Sequence, residues 1–208
     1  MEIKSINELG YETCLQRAVE FIREGRIVGF PTETFYALGV RYDNDASLKR
    51  VVDIKERPGS KSFSLIIGEI SELSLLARDV DSLTQRIIDK LWPSALTVVF
   101  RAKEGLSGYI TDERGTIAVR MPARSFALEL ARMIKIPITA TSANVSGKSP
   151  ARSGEDVAAF FPQGIDLLID GGESRAAYPS TIIEVVGDRI RFLREGVIRR
   201  SEIYSVLT

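Results

Sequence analysis

Apolar and polar positions along the chain switch repeatedly between a helical period and short unbroken apolar runs. Leu15, Ala18, Val19 and Ile22 recur at helical spacing between Tyr11 and Glu24, and Gly25 supplies a stop. Arg26 to Phe30 then reads as a short strand that meets Pro31. Leu48, Val51, Val52 and Ile54 mark a second helix over Ala46 to Ile54, and Ser62 to Ile67 reads as a strand. Leu83, Ile87 and Leu91 define a third helix that stops near Trp92-Pro93-Ser94, after which Ala95 to Phe100 is a strongly apolar strand. Gly115 to Pro122 is another strand with Arg120 near its end. Ser125 N-caps a helix in which Phe126, Leu130 and Ile134 share a face, and Ala127 and Ala131 allow close packing. Leu167 to Asp170 is a short strand stopped by Gly171-Gly172, and Ile182 to Val186 pairs with Arg189 to Arg194 through a turn at Gly187-Asp188. About eight strands interleaved with four or five helices predict an α/β (α+β) fold with a mixed sheet. Without an internal repeat, low-complexity tract or convincing linker, residues 1–208 are expected to form a single domain.

Charge narrows the picture mainly by exclusion. Lys and Arg number 28, as do Asp and Glu, so bulk charge gives no support to a dedicated nucleic-acid or membrane-surface protein. The first residues lack the basic and apolar regions of a secretory signal, and no apolar run approaches membrane-spanning length, so a soluble cytoplasmic protein is expected. The single Cys14 lies in a helical pattern and reads as a small core residue. The chain has no histidine, which removes Ser-His-Asp and Cys-His nucleophile systems and imidazole zinc sites. Chemistry must rest on Lys, Arg, carboxylates, hydroxyls and backbone amides.

Ile136 to Gly147 is the most unusual stretch. It begins apolar and β-branched, then places Thr139, Thr141, Ser142, Asn144 and Ser146 within eight positions. Such side chains can donate to a phosphate or carboxylate at close range, although a polar turn after a buried strand would use the same residue types. Gly147-Lys148-Ser149 imitates the end of a Walker A loop, but the required first glycine is Ser142, and no Gly-x-Gly-x-x-Gly occurs. Lys55, Arg57 and Lys61 form a basic loop, for which a solvated surface is the ordinary explanation. Its company shifts that balance: Arg120 and Arg194 also close predicted strands, where ligands gather in open α/β sheets. Glu33, between Thr32 and Thr34, is a carboxylate available to an amine or metal, or equally a turn acid.

Seven segments in register carry a resemblance. They are Pro31-Thr-Glu-Thr-Phe-Tyr-Ala-Leu-Gly39, Lys55-x-Arg57-Pro58, Leu91-Trp-Pro-Ser-Ala-Leu-Thr97, Ala118-Val-Arg-Met-Pro122, Thr141-Ser-Ala-Asn-Val-Ser-Gly147, Pro179-Ser-Thr181 and Leu193-Arg-Glu-Gly196. In this order they resemble the motifs of YrdC-type threonylcarbamoyl-AMP synthases, from about Ile22 to Val197. The resemblance implies a twisted mixed sheet flanked by helices around a deep basic cavity. It implies a nucleotidyltransferase that converts L-threonine, bicarbonate and ATP to threonylcarbamoyl-AMP and pyrophosphate. Magnesium accompanies the ATP, held by phosphates and water, and no protein metal site is implied. A separate transferase complex then modifies a tRNA adenosine, and double-stranded RNA or tRNA binding has been attached to the family. A longer branch carries an extra C-terminal domain that 208 residues are too few to hold.

By position, the resemblance implies that Lys55, Arg57, Ser142 and Asn144 are catalytic and face one cavity. Arg57, Lys61, Thr116, Ser142, Pro150 and Arg194 would contact ATP. Thr32, Thr34, Arg120, Ala140 and Ser180 would hold threonine. The sequence also departs from the family: Ala37 stands where Gly is usual, Ser94-Ala95 replaces Gly-Pro, and Ser64 to Gly68 lacks a histidine found in some members. Tyr-Ala-Leu-Gly is similar to the YciO-type paralogues, so the alternative is a paralogue that binds nucleotide or double-stranded RNA without synthase activity. Those paralogues tend to lose Ser-Ala-Asn, which this chain keeps.

Overall fold

The computed structural model describes residues 1–57 and 62–207. Its first half runs β1 (Glu2–Ser5), α1 (Ile6–Leu9), α2 (Tyr11–Arg23), β2 (Val28–Phe30), β3 (Ala37–Gly39), α3 (Asp45–Ile54), β4 (Leu65–Ile66), a 3-10 helix (Ile70–Leu75), α4 (Ser82–Leu91) and β5 (Leu96–Arg101). There follow β6 (Thr116–Arg120), α5 (Phe126–Ile134), β7 (Ile138–Thr139), β8 (Thr141–Ser142), α6 (Gly154–Phe160), β9 (Leu167–Asp170), β10 (Thr181–Val186), β11 (Arg189–Arg194) and α7 (Arg200–Ser205).

The strands form two mixed sheets rather than one. The first has the order β1-β9-β2-β3-β8 and the second β11-β10-β5-β6-β4-β7. In the first, β1 and β2 run parallel to β9, while β3 is antiparallel to both β2 and β8. In the second, β10 is parallel to β5 and β4 to β6, and the remaining pairs are antiparallel.

Four helices begin on side-chain caps. Asn44, Asp81, Ser125 and Ser153 each accept the backbone N–H three residues on, a contact worth about 1 kcal/mol apiece. The apolar face of α2, with Leu15, Ala18, Val19 and Ile22, buries against Phe126, Ala127, Leu130 and Ile134 of α5 and against β2 and β9. A second cluster joins Leu38, Leu65, Val98, Val119, Ile87 and Trp92 beneath the other elements. Gly68 packs directly against α5: a Cβ there would lie 2.5 Å from the Arg132 backbone nitrogen. The missing side chain at this departure is thus a packing requirement.

The predicted strand from Ile136 is cut in two. Ile138 pairs with Ile66 in the second sheet, whereas Thr141 and Ser142 pair with Leu38 and Ala37 in the first. The chain changes sheets at Ala140, whose N–H donates to the Ser64 carbonyl at 2.9 Å, and the Thr139 N–H donates to the Val40 carbonyl at 2.9 Å. Backbone hydrogen bonding therefore continues across the change, as buried amides require. Among the described residues no helix is long and apolar enough to cross a membrane.

Candidate active site

The change of sheet opens a cavity of about 430 Å³, within the usual range for a small-molecule site. Thr32, Thr34 and Tyr36 from the β2–β3 connection line one side, with Ala140, Thr141 and Ser142 beside them. The second sheet supplies Leu65, Ile66, Thr97 and Arg120. Arg57, Pro150, Ser180 and Arg194 complete the rim.

Strand register explains part of this convergence. Arg120 of β6 lies beside Ile66 of β4 and Thr97 of β5, and Thr97 is in turn beside Ile182, the partner of Arg194. Ser180 enters from the residue before β10. Its hydroxyl lies 3.0 Å from Thr97 Oγ1 and accepts from Arg194 Nη2 at 2.8 Å, while Arg194 Nε donates to the Ser180 carbonyl at 3.0 Å. Burial first, then the charge of Arg120, lowers the Arg194 pKa below the ordinary guanidinium value. The loop bearing Ser180 is seated on Gly196: a Cβ there would lie 2.1 Å from the Pro179 carbonyl oxygen. The Val197 N–H donates to that same oxygen at 2.9 Å. The sixth and seventh motifs, joined by the β10–β11 hairpin, are thereby one structural unit.

Lys55 is 1% exposed at the end of α3. Its ammonium donates to the Ser142 carbonyl, to the Asn144 carbonyl at 2.6 Å and to Asn144 Oδ1 at 3.3 Å. Ser142 Oγ donates to Asn144 Oδ1 at 2.6 Å, and Asn144 Nδ2 donates to the Lys148 carbonyl. Desolvation, followed by the nearby Arg57 charge, pulls the Lys55 pKa down to about 7, while the oxygen acceptors favour its charged form. Arg57 stacks over Phe63 with 4.8 Å to the ring centroid, and donates to the Ser62 carbonyl at 2.7 Å and to Thr141 Oγ1 at 3.4 Å. Burial lowers its pKa as well.

Thr32 Oγ1 donates to the Phe35 carbonyl at 2.7 Å and accepts the Thr34 N–H at 3.0 Å, folding this segment into a tight turn. Ser174 Oγ donates to the Thr34 carbonyl from the far side. Glu33, between them, pairs with Arg120, with Oε1 2.8 Å from Nη1.

Of the residues singled out in the sequence, Thr32, Thr34, Arg57, Arg120, Ala140, Ser142, Pro150, Ser180 and Arg194 line this cavity. The expectation that Lys55, Arg57, Ser142 and Asn144 all face it needs correction: Lys55 and Asn144 cluster behind Ser142, because the ammonium is consumed by the loop's own oxygens. Thr116 also departs. It sits at the opposite end of β6 from Arg120, lines a separate cleft on that sheet, and accepts from Arg114 at 3.4 Å. Lys61 lies outside the described residues. Thr141, from the hydroxyl-rich stretch, lines the cavity too, and so does Thr97, to which the sequence assigned no role. Thr97 was within reach of the sequence, since it closes one of the seven motifs and alternates with Val98 toward the opposite face.

Residues 20–196 match the family Sua5_yciO_yrdC, described as telomere recombination. The chain belongs to this family. Over 205 residues it is 36% identical to a Pyrococcus abyssi protein named threonylcarbamoyl-AMP synthase, a match covering 99% of this chain and 60% of that protein. The crystal structure of P. abyssi Sua5 complexed with L-threonine aligns at a TM-score of 0.92 and 35% identity, covering 100% of this chain and 61% of the other. E. coli YciO aligns at a TM-score of 0.83 and 25% identity, covering 97% of this chain and 98% of its own. The chain thus spans about three fifths of the Pyrococcus relative.

Proposed function

We propose that this chain is an L-threonylcarbamoyladenylate synthase, a nucleotidyltransferase that makes threonylcarbamoyl-AMP and pyrophosphate from L-threonine, bicarbonate and ATP. The observation that carries the reading is one cavity in which Arg120, Ser180 and Thr97 stand together with Arg57, Ser142 and Arg194. A carboxylate grip and a polyphosphate grip within one small volume suit a reaction that joins an amino acid to a nucleotide. The kinship with a protein named as this synthase supports the same assignment.

In this mechanism Arg120 holds the threonine carboxylate by paired hydrogen bonds, with Ser180 beside it. Thr32, Thr34 and the backbone at Ala140 surround the rest of the amino acid. The threonine nitrogen bonds to the bicarbonate carbon with loss of water, giving N-carboxythreonine. A carbamate oxygen then attacks the α-phosphorus of ATP, and the bond to pyrophosphate breaks. Arg57 and Arg194, with Ser142 and the backbone at Pro150, offset the charge that develops on the phosphate. Lys61 joins this set in the proposal. Lys55 and Asn144 act by fixing the Ser142 loop, so their part is positioning. Among the described residues no group of three or more His, Cys, Asp or Glu gathers, and magnesium enters with ATP as part of the substrate. The product is then handed, in the cytoplasm, to a separate tRNA-modifying transferase.

Pyrophosphate release tests the proposal, with threonine and bicarbonate omitted in turn. Release that requires both is expected. Release indifferent to threonine refutes it and favours the paralogue that binds nucleotide or RNA without making the adenylate.

A further inference from the structure

We infer that Glu33 is a positioning residue for the amino-acid carboxylate, fixing one edge of the Arg120 guanidinium so that its other donors face the cavity. The inference rests on the reading of the site given under Proposed function.

Thr32 and Thr34 both line the cavity, but Glu33 between them does not, and lines a separate pocket with Tyr178 and Gly196. From there its carboxylate reaches Arg120 Nη1 at 2.8 Å, with side-chain exposures of 10% for Glu33 and 7% for Arg120. Neither carboxylate oxygen has a hydrogen-bond partner in good alignment among the described residues, and both are buried. The pair is therefore a contact of charges at close range without a straight hydrogen bond. Burying a carboxylate with so little compensation is a poor route to stability, because desolvation rivals the Coulomb attraction. What it does supply is a fixed negative charge against one edge of one guanidinium.

Arg120 needs that charge. Its backbone is set by pairing to Ile66 and Thr97, yet the long side chain beyond it is not held by sheet hydrogen bonds. A guanidinium has five N–H donors. Among the described residues Glu33 is the charged partner of Arg120, and no other acceptor takes a hydrogen bond from its side chain. Arg194 lies near enough for the Arg120 charge to lower its pKa, so the buried Arg120 shares this end of the cavity with a second cation. A carboxylate behind Arg120 counters their repulsion and leaves the cavity-side donors for an incoming carboxylate. The arrangement places the counter-ion outside the space that the amino acid would fill.

The test is steady-state pyrophosphate release by the full chain with threonine and ATP varied separately. Glu33→Gln keeps the shape and removes the charge. It is expected to raise the threonine KM at least tenfold while leaving the ATP KM within twofold. Glu33→Asp, which keeps the charge with a shorter reach, is expected to recover part of that loss. Should Glu33→Gln fail to fold by circular dichroism, Glu33→Ala is the deciding variant, a threonine KM at the wild-type value then overturning the inference. In the Arg120→Lys background, threonine binding by calorimetry should change less than twofold on adding Glu33→Gln. An unchanged threonine KM in Glu33→Gln, or the same fold-change in both backgrounds, overturns the inference alone. Wild-type release that ignores threonine overturns the reading of the site and this role with it.

Discussion

The ammonium of Lys55 donates to both the backbone and the side-chain oxygen of Asn144, 89 positions further along the chain, at 2.6 and 3.3 Å. This contact pins the polar loop after β8 to the end of α3. Lys55→Met leaves the Ser142 and Asn144 carbonyls without their buried donor, and should cost about 2–3 kcal/mol in stability. Urea unfolding at pH about 8 measures the loss. Pyrophosphate release by the folded fraction should fall as well, since Ser142 is no longer held.

Arg57 differs from its neighbour because its guanidinium reaches the cavity wall. Arg57→Ala should lower pyrophosphate release at least about 100-fold, in the range expected for losing one preorganised charge-stabilising donor. Its unfolding midpoint should move by less than about 1 kcal/mol equivalent. Wild-type rates in this variant would show that Arg57 packs the cavity wall without taking part in the reaction.

Thr97 shares its hydroxyl with Ser180 at 3.0 Å. Thr97→Val keeps the shape and removes the hydrogen bond, a change of about 1 kcal/mol, or roughly a fivefold rise in threonine KM. The ATP KM, measured in the same assay, should stay constant.

The pH dependence follows from the burial of Lys55. Its pKa is about 7 in the fold, against an ordinary 10.5. Between those values the unfolded chain keeps a proton that the folded chain has released, so stability rises with pH across this window. The penalty for burying the ammonium is fully present below the folded value. Wild-type stability in urea should therefore increase from pH about 7 to about 9 relative to Lys55→Met, which lacks the titrating group.

Gly196→Ala would drive a methyl group against the Pro179 carbonyl and the Ser180 backbone. Those atoms are main chain and cannot swing aside. The expected loss is about 1–3 kcal/mol, typical of overpacking, read from thermal unfolding. Threonine KM should rise with it, because Ser180 moves.

Much of the fold was legible because long amphipathic segments and apolar runs declare themselves locally. The helices from Tyr11, Asp45, Ser82 and Phe126, and the β10–β11 hairpin, all follow from periodicity, caps or turn residues. The strands β3, β7 and β8 are two or three residues long and are fixed by tertiary hydrogen bonds, so no period can form in them. The division into two sheets was hidden for the same reason. At the site, residue type indicated chemistry, and nine residues singled out in advance do meet in one cavity. Direction was not legible: Lys55 looks like a phosphate ligand until its ammonium is seen among three oxygens. Glu33 likewise looked available until Arg120 was beside it.

On the function proposed above, the change of sheet at Ala140 makes catalytic alignment a question of joinery. Arg120 and Arg194 ride on one sheet, whereas Ser142 rides on the other and Thr34 on its β2–β3 connection. Their spacing is held where the chain crosses over, by the amide contacts of Thr139 with Val40 and of Ala140 with Ser64. A small slip at that crossing would misalign amino acid and nucleotide together while leaving each binding group intact. Substitutions that loosen the crossing should therefore lower kcat more than they raise either KM, a signature of lost registration between two otherwise sound half-sites.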